Sequence, residues 1–389
     1  MVRIRAAVVG LGLIGRVIAW DLYERATGRD LLLIDRDEGV LREVSATLKG
    51  CQTLRVDASD VDALARALRD VDVAVGALPG RLGKSVWLAA IRAGVDLVDV
   101  SYSPDDPLAL NIQARESGVT IVPDAGLAPG LSNMLAGRAY ARLEGRVHDL
   151  TVYVGAIPER PTTPLGYTVT WSPEDLIEEY TRPARVVRDG RVTALPALSE
   201  VERLEVEGVG ELEAFLTDGL RTMLRTLKGV HRMEEKTLRW PGHAEKVALM
   251  RELGLFDSRP VRVGDCEVRP AALTAELFRL RLAGDPRDLV VLLVRARGST
   301  PEGTVEVEYR VVDRYDESTG LTATARTTAF TATAVARLVS EGKVPGPGVI
   351  PPESLGMDST LMLDIASWLF RRGIVIHERF TSQERLLPL

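Results

Sequence analysis

The stretch Arg5-Ala-Ala-Val-Val-Gly-Leu-Gly-Leu-Ile-Gly15 decides the fold of this chain. A short apolar run ends in three glycines with the G-x-G-x-x-G spacing, at Gly10, Gly12 and Gly15. The first glycine allows a tight turn, the second lets a pyrophosphate approach the backbone, and the third lets the next helix pack closely on the strand. The stretch therefore predicts a strand–turn–helix unit that binds a dinucleotide.

An acidic residue follows at the distance that such a unit requires. The segment Arg16–Arg25 is amphipathic, and the apolar run Leu31–Ile34 ends on Asp35, twenty residues after Gly15. A carboxylate there binds the adenosine ribose hydroxyls and repels a 2′-phosphate, so Asp35 favours NAD. Arg36 favours the alternative, NADP, because a nearby arginine accepts the 2′-phosphate.

Composition bounds the class of protein. A chain of 389 residues predicts about two domains, and a net charge of −6 without a basic run gives no support for a nucleic-acid partner. The two cysteines, Cys51 and Cys266, are far apart and lack a C-x-x-C motif. This spacing argues against a disulfide framework or a metal site and favours the cytoplasm. No apolar run is long enough for a membrane span.

One compositional bias points to the source. Only six of the 49 basic residues are lysine, and asparagine and glutamine are scarce. Depletion of thermolabile amides is typical of a thermophile, although the arginine excess also fits a GC-rich genome. We take thermophily as a hypothesis.

Residues 1–125 alternate strands with helices, which predicts a Rossmann-like, doubly wound parallel sheet. Ligands of such sheets lie at the carboxyl ends of the strands, so the loops that follow the strands are candidate sites. The residues predicted to contact the cofactor are Gly10, Gly12, Leu13, Ile14, Gly15, Asp35, Arg36, Asp57, Ala77, Leu78, Pro79 and Ser101.

A further loop, Asp124-Ala-Gly-Leu-Ala-Pro-Gly130, precedes a predicted helix over Leu131–Leu143. Pro129 suits the first turn of a helix. The free N–H groups of that helix could receive a substrate carboxylate, or the loop is a plain connection between domains.

The pattern changes after about residue 149. Several segments alternate polar and apolar residues, as half-exposed antiparallel strands do, and helices lie among them. We predict an α+β substrate and oligomerisation domain over residues 126–326, with a strand at Leu321–Ala325 and a helix at Gly219–Leu227. Residues 327–358 form a helix and a loop, and residues 359–389 a last helix and strand.

Candidate substrate residues come from polar clusters in the second domain. His243 lies where a turn meets a helix start, and Arg182 precedes a proline, which favours an extended conformation. Arginine is the natural bidentate partner of a carboxylate. A solvent-exposed role remains the alternative for each arginine.

At these residues the chain resembles the saccharopine dehydrogenase family, and most closely its lysine 6-dehydrogenase branch. The resemblance covers residues 5 to about 340. The stretches that carry it are Val8–Gly15, Asp99-Val-Ser-Tyr102, Gly126-Leu-Ala-Pro-Gly-Leu-Ser-Asn133, Pro164–Pro173, Glu178–Pro183, Phe215-Leu-Thr-Asp-Gly-Leu-Arg221, Lys236-Thr-Leu-Arg-Trp-Pro-Gly-His243 and Ala325–Thr328.

The resemblance implies homodimers or homotetramers and a chain that returns to the nucleotide domain near its C-terminus. It also has two departures. Saccharopine-forming reductases carry an aspartate in a G-L-D-P-G loop, where this chain has Ala128. They carry a cysteine in a C-G-G-L-P strand end, where this chain has Val154-Gly-Ala-Ile-Pro158. Both losses favour a smaller amino-acid substrate such as lysine.

The implied reaction is the NAD-dependent oxidative deamination of the ε-amino group of L-lysine. Hydride leaves Cε, the imine hydrolyses to ammonia and 2-aminoadipate 6-semialdehyde, and this cyclises to a piperideine carboxylate. The ε-amine has a pKa of about 10.4 and must be neutral, so the site needs a base, a desolvating pocket or alkaline pH. Candidate proton-transfer residues are Asp124, Asp99, Tyr102 and His243, and candidate substrate-binding residues are Tyr167, Arg182, Arg221, Lys236 and Arg239.

Three other functions remain open at this stage. They are a saccharopine dehydrogenase or reductase, a polyamine-forming reductase of the same family, and a non-catalytic NAD-binding sensor.

Overall fold

A computed structural model describes residues 5–24, 30–169, 172–300 and 303–383. They form two compact units: unit 1 runs to Ala141 and resumes over Ala325–Val375, and unit 2 comprises Arg142–Thr324 and the chain from Ile376. Within those residues we find no helix that combines the length and apolar character of a membrane span.

Unit 1 contains a sheet whose strands are all parallel. With elements numbered along the whole chain, its strands are β1 (Ala6–Val9), β2 (Leu31–Asp35), β3 (Gln52–Arg55), β4 (Val73–Gly76), β5 (Asp96–Asp99), β6 (Thr120–Val122) and β17 (Gly348–Val349). Their order is β17-β6-β5-β4-β1-β2-β3. The predicted Rossmann-like sheet is confirmed, and its strand order reverses between β1 and β4, the point where such sheets bind ligands.

Helices flank this sheet. They are α1 (Leu13–Tyr23), α2 (Glu38–Thr47), α3 (Val61–Leu68), α4 (Gly83–Ala93), α5 (Asn111–Glu116), α6 (Leu131–Arg142), α11 (Ala323–Ser340), α12 (Pro352–Met357) and α13 (Ser359–Phe370). Short 3₁₀ turns occupy Gly80–Leu82 and Pro107–Leu110. Helix α6 groups with unit 1, whereas the sequence analysis began the second domain at residue 126.

The C-terminal part of unit 1 is anchored on α1 by a buried ion pair. The guanidinium of Arg372 donates from Nε to the carboxylate of Asp21 at 2.8 Å. Thr333 of α11 donates to the same carboxylate, and Arg372 also stacks on Trp368 with its Cζ 3.8 Å from the ring centroid. These contacts bring α11 and the segment after α13 back to the nucleotide unit, as the family resemblance implies.

Unit 2 is built on a mixed, mostly antiparallel sheet. Its strands are β7 (Val147–Pro158), β8 (Ala184–Arg188), β9 (Arg191–Leu195), β10 (Glu202–Val206), β11 (Gly210–Thr217), β12 (Arg232–Arg239), β15 (Asp288–Thr300), β16 (Gly303–Arg314) and β18 (Ile376–Gln383). The main path runs β10-β11-β12-β7-β15-β16-β18, and β8 pairs with β12 and β9. A separate hairpin joins β13 (Val261–Val263) to β14 (Cys266–Val268).

Helices cover one face of the β11–β12 region. They are α7 (Pro173–Thr181), α8 (Met223–Thr226), α9 (His243–Glu252) and α10 (Pro270–Arg281). Their core, around Tyr180, Phe215 and Phe256, lies on that face. A second core, around Tyr153, Leu238 and Leu293, lies on the other face. Because successive residues of a strand alternate between faces, β12 contributes side chains to both.

Two predicted elements differ from the structure. Residues 323–325 begin helix α11 rather than a strand, because the Asp288 carboxylate accepts from the N–H groups of Ala323 and Thr324 and caps that helix. The helix predicted at Gly219–Leu227 is a single turn, α8, preceded by Arg221 with a positive φ of 51°.

Candidate functional site

The glycine loop of unit 1 has the close contacts that its sequence predicts. Gly10 has a φ of +92°, and its N–H donates to Ile34 at 2.8 Å. A Cβ on Gly15 would lie 1.8 Å from the carbonyl oxygen of Gly10. A side chain at either position would therefore force the turn apart.

Gly12 differs from its two neighbours in the motif. Apart from Gly12 itself and its two chain neighbours, no atom lies within 4 Å of the position that its Cβ would take. Leu13, the first residue of α1, is 63% exposed. Every residue of α1 is described, and no side chain makes a capping hydrogen bond at its N-terminus. The start of α1 thus offers open space beside backbone N–H groups, which fits a pyrophosphate.

The Asp35 carboxylate lies against this loop. It accepts from the N–H of Leu11 at 2.7 Å and from the N–H of Asp37 at 2.9 Å. These two bonds fix the carboxylate at the end of β2, where a ribose is bound in this fold. Each oxygen retains a second acceptor position for a hydroxyl.

Cationic side chains approach the same end of the sheet. Asp57 is exposed, and its pKa is held below its usual range by hydrogen bonds from Ser59 and, more weakly, by Arg36 and Arg81. Arg36 is exposed next to Asp35. The positive charges of Arg36 and Arg81 favour a 2′-phosphate, whereas Asp35 by itself disfavours one.

The segment after β4 lies directly beneath the glycine loop. A Cβ on Gly10 would lie 2.6 Å from the carbonyl oxygen of Ala77 and 2.7 Å from a methyl group of Leu78. Pro79 then leads into the 3₁₀ turn. The structure thus brings Ala77 and Leu78 to Gly10.

Asp99 has a structural environment. It is fully buried, and it accepts from Trp87 Nε1 at 2.6 Å and from the Ser101 hydroxyl at 2.8 Å. Burial raises its pKa to about 7, and Asp124 contributes in the same direction. We revise its predicted role as a proton acceptor for substrate, because its carboxylate is sealed from solvent and engaged with Trp87 and Ser101.

The remaining unit 1 candidates lie near Asp99. Asp124 is also fully buried, with a positive φ of 52°, and therefore has no solvent-facing oxygen either. Tyr102 is half-buried, and its carbonyl oxygen packs where a Cβ on Gly80 would lie, 2.1 Å away. Tyr102 is thus the more accessible of these two candidates.

The loop before α6 is closed on itself. The N–H of Leu131 donates to Gly126 at 2.8 Å, and the N–H of Ser132 donates to Leu127 at 3.0 Å. Asn133 Oδ1 accepts from the N–H of Gly130 at 3.0 Å. The suggestion that this helix start receives a substrate carboxylate is revised, since these N–H groups already have partners.

A polar cluster in unit 2 contains several of the predicted substrate residues. Arg239 is buried and donates to both carboxylate oxygens of Glu179 at 3.2 Å. Its Cζ lies 4.6 Å from the ring centroid of Tyr167. Thr237, on the same strand face, donates to Glu179 at 2.6 Å. Burial acts to lower the pKa of Arg239, but Glu179, Tyr180 and Tyr167 together outweigh it, and the pKa is raised.

His243 belongs to this cluster as a neutral ring. Its Nδ1–H donates to the carbonyl oxygen of Leu165 at 2.9 Å, which leaves Nε2 to accept from the Tyr180 hydroxyl at 2.9 Å. Burial, and then Arg239, lowers its pKa to about 3. We revise its predicted catalytic role, because both ring nitrogens are engaged and the ring does not titrate near neutral pH.

Lys236 faces the other side of the sheet. Its Nζ is buried and donates to Glu202 at 2.7 Å and to the carbonyl oxygen of Glu200 at 3.0 Å. Lys236 and Arg239 are three positions apart on the strand, and an odd offset places their side chains on opposite faces. The structure therefore does not bring Lys236 to the cluster, and we revise its predicted role in substrate binding.

The last two predicted arginines have different settings. Arg182 follows α7 and pairs with Glu178 of that helix. Arg221 is buried, and it opposes the rise in the pKa of Glu235 that burial causes. The motif around Pro164–Pro173 is described except for Thr170 and Trp171, which lie outside the described residues.

Sequence reasoning missed three members of the cluster: Glu179, Thr237 and Glu235. Glu235, Thr237 and Arg239 alternate along β12 and share one face. Such alternation ordinarily indicates a solvent-exposed face, and the covering by α7 and α9 was not visible in the sequence. No group of three or more potential metal ligands occurs in the described part of the chain.

Comparison with known proteins agrees with both units. Residues 6–122 match the saccharopine dehydrogenase NADP binding domain, and residues 126–374 match the saccharopine dehydrogenase C-terminal domain. The chain belongs to the saccharopine dehydrogenase family. It is therefore a member of an oxidoreductase family with a dinucleotide-binding domain.

Two curated relatives and one solved structure are similar to the chain. Saccharopine dehydrogenase [NADP(+), L-glutamate-forming] of Saccharomyces cerevisiae is 21% identical over 85% of this chain and 89% of its own length. Alpha-aminoadipic semialdehyde synthase of Arabidopsis thaliana is 27% identical over 57% of this chain, which spans only 22% of that protein. The apo saccharopine dehydrogenase (L-Glu forming) structure from S. cerevisiae covers 97% of this chain and all of its own, with a TM-score of 0.79 and 17% identity, and shows the shared fold.

Proposed function

We propose that the protein is an NAD-dependent dehydrogenase that oxidatively deaminates the ε-amino group of L-lysine. The product is 2-aminoadipate 6-semialdehyde, which cyclises to piperideine-6-carboxylate, and ammonia is released. The bound nicotinamide would supply the hydride acceptor. Membership of the saccharopine dehydrogenase family supports chemistry at a carbon that carries nitrogen.

The choice of lysine rather than saccharopine as the proposed substrate rests on the loop Gly126–Gly130. Saccharopine bears a glutamate moiety on the lysine nitrogen, so an enzyme that acts on it must accommodate additional polar groups. In this chain Ala128 provides no polar side chain, and the N–H groups that follow it donate within the loop and to Asn133. A substrate without the glutamate moiety is therefore favoured.

The choice of NAD rests on Asp35. Its carboxylate is held beside the glycine loop, where it would accept from the ribose hydroxyls and repel a 2′-phosphate. NADP is the second candidate, supported by the exposed Arg36 and by the cofactor in the names of the relatives.

A second candidate function is the saccharopine dehydrogenase reaction itself. It is favoured by the relative from S. cerevisiae, which aligns with 85% of this chain and carries that name. The two functions differ in what they consume together with the nucleotide.

One assay separates them. The purified protein is incubated at alkaline pH with L-lysine and NAD or NADP, and the absorbance of the reduced nucleotide is followed. L-Saccharopine replaces lysine in a parallel reaction. Reduction of NAD with lysine alone is the expected result. Reduction with saccharopine but not with lysine would establish the second candidate instead.

A further inference from the structure

One buried carboxyl group of unit 2 has an oxygen atom without a hydrogen-bond partner among the described residues. Glu235 is 5% exposed, and its Oε2 is buried without a hydrogen bond to any described residue. Its acidic neighbours are satisfied: Asp218 accepts from two nitrogens of Arg185 at 2.9 Å, and Glu179 binds Arg239. A buried carboxyl oxygen without a partner is costly, and such an exception requires an explanation, such as a catalytic role or a bound ion or water.

The backbone opposite Glu235 leaves room for its carboxyl group. A Cβ on Gly219 would lie 1.5 Å from Glu235 Oε1. Gly219 does not have a positive φ, so space rather than backbone conformation requires glycine here. Thr217, directly across from Glu235 in the β11–β12 register, bonds to Thr237 at 2.9 Å and not to Glu235.

A second unpaired atom lies on the same face of β12. The Nε of Arg239 is buried and has no hydrogen-bond partner in the described structure. Glu235 and Arg239 are four residues apart, or about 13 Å along a strand. One unpaired acidic atom and one unpaired basic atom on a single face fit a ligand that carries both an ammonium group and a carboxylate.

We propose that Glu235 binds an alkylammonium group of the substrate. The inference rests on the amino-compound substrate class of the proposed function, but it concerns recognition rather than turnover. The carboxylate would accept from the ammonium N–H groups, and Arg239 Nε would donate to a carboxylate of the same ligand. The ligand class is an amino acid or a polyamine derivative.

Neighbouring charges make this recognition dependent on pH. Burial, and then Asp218 and Glu179, raise the pKa of Glu235 to about 8, against the opposing effect of Arg221. Arg239 adds positive charge on the same strand face, but its guanidinium is paired with Glu179. Glu235 is therefore mostly protonated at neutral pH, and it must release that proton to bind a cationic ammonium group.

Equilibrium binding tests the inference without turnover. L-Lysine, L-saccharopine and cadaverine are each titrated by calorimetry into the protein saturated with reduced nucleotide, which blocks oxidation. The same titrations use Glu235→Gln and, as a control, Glu202→Gln, whose carboxylate pairs with Lys236 on the other face of the sheet. Repetition in buffers of different ionisation enthalpy gives the number of protons released on binding.

For the amine that binds the wild type, we expect Glu235→Gln to weaken binding about tenfold or more, as loss of a charge-assisted hydrogen bond does. We also expect release of close to one additional proton at pH 7 in the wild type and in Glu202→Gln, but not in Glu235→Gln. Equal affinity or equal proton release in wild type and Glu235→Gln would overturn the inference, as would a wild type that binds none of the three amines. If another amine binds through Glu235 while lysine gives no reduced nucleotide, the proposed function fails and this inference stands.

Discussion

The carboxylate of Asp35 accepts a hydrogen bond from the backbone N–H of Leu11 at 2.7 Å, so the residue that selects the cofactor also supports the loop that binds its phosphates. The two roles are linked because this hydrogen bond joins the end of β2 to the turn between Gly10 and Gly12. A substitution at Asp35 that tests cofactor choice must therefore keep the hydrogen bond to Leu11, so that the loop stays intact.

Asp35→Asn is the suitable change. The amide keeps an oxygen that can accept from Leu11, but it lacks the charge that binds ribose hydroxyls strongly and repels a 2′-phosphate. We expect the KM for NAD to rise about 10- to 100-fold, the equivalent of about 1.5–3 kcal/mol, while the KM for NADP stays level or falls. Initial rates with both nucleotides measure this.

Arg36→Ala is the matched control. It should raise the KM for NADP and leave that for NAD nearly unchanged. If Asp35→Asn affected both nucleotides equally, the ribose role of Asp35 would be refuted.

Substitutions at two glycines of the loop should affect folding and nucleotide binding differently. In Gly12→Ala the new Cβ meets no atom within 4 Å, and the φ of −68° suits alanine, so the melting temperature should be unchanged or slightly higher. The Cβ does occupy the space for the pyrophosphate, so we expect nucleotide affinity to fall at least tenfold. Calorimetric titration with NAD measures the affinity, and thermal melting measures the stability.

Gly15→Ala should behave in the opposite way. Its Cβ would lie 1.8 Å from the carbonyl oxygen of Gly10, so the loop must move and the melting temperature must fall. A stable Gly15→Ala protein with normal NAD affinity would contradict the loop geometry described here.

Sequence alone predicted the nucleotide unit well. The glycine spacing, Asp35 and the alternation of strands with helices each follow from local rules, and parallel strands bring their carboxyl ends to one edge. The substrate cluster was predicted only in part, since Glu179 and Glu235 come together through the pairing of β11 with β12 and through the packing of α7. Strand β11 itself was not recognised, and without it the buried face of β12 looks like a solvent-exposed one.

His243 shows the same limit. A histidine beside a turn suggested proton transfer, but the ring is held between Leu165 and Tyr180 and its pKa is lowered to about 3. We expect His243→Asn to lower the melting temperature while leaving the pH profile of kcat/KM between pH 6 and 9 unchanged in shape. A profile that lost a limb in this variant would restore the catalytic role.

The ion pair of Asp21 with Arg372 should dominate the stability of the C-terminal part of unit 1. Both side chains are at most 10% exposed, and removal of one partner leaves the other buried and uncompensated. We expect Asp21→Ala to lower the free energy of unfolding by about 3–5 kcal/mol in urea titrations. The exposed pair of Lys84 with Asp105 is the comparison, and Asp105→Ala should cost under about 1 kcal/mol.

The raised pKa of Glu235 predicts how the free energy of unfolding varies with pH. Its pKa is about 8 in the folded protein, against an ordinary value of 4.5, so between these values the unfolded chain carries the charge and the folded protein keeps the proton. The folded state then binds more protons than the unfolded state, and stability must fall as pH rises through this window. Glu235→Gln cannot ionise, so it removes that contribution. We therefore expect the free energy of unfolding of the variant, relative to wild type, to increase from pH 5 to pH 8 and to level off above pH 9. Urea titrations at several pH values, with Glu202→Gln as control, measure this difference, and a difference independent of pH would show that Glu235 is already ionised in the folded protein.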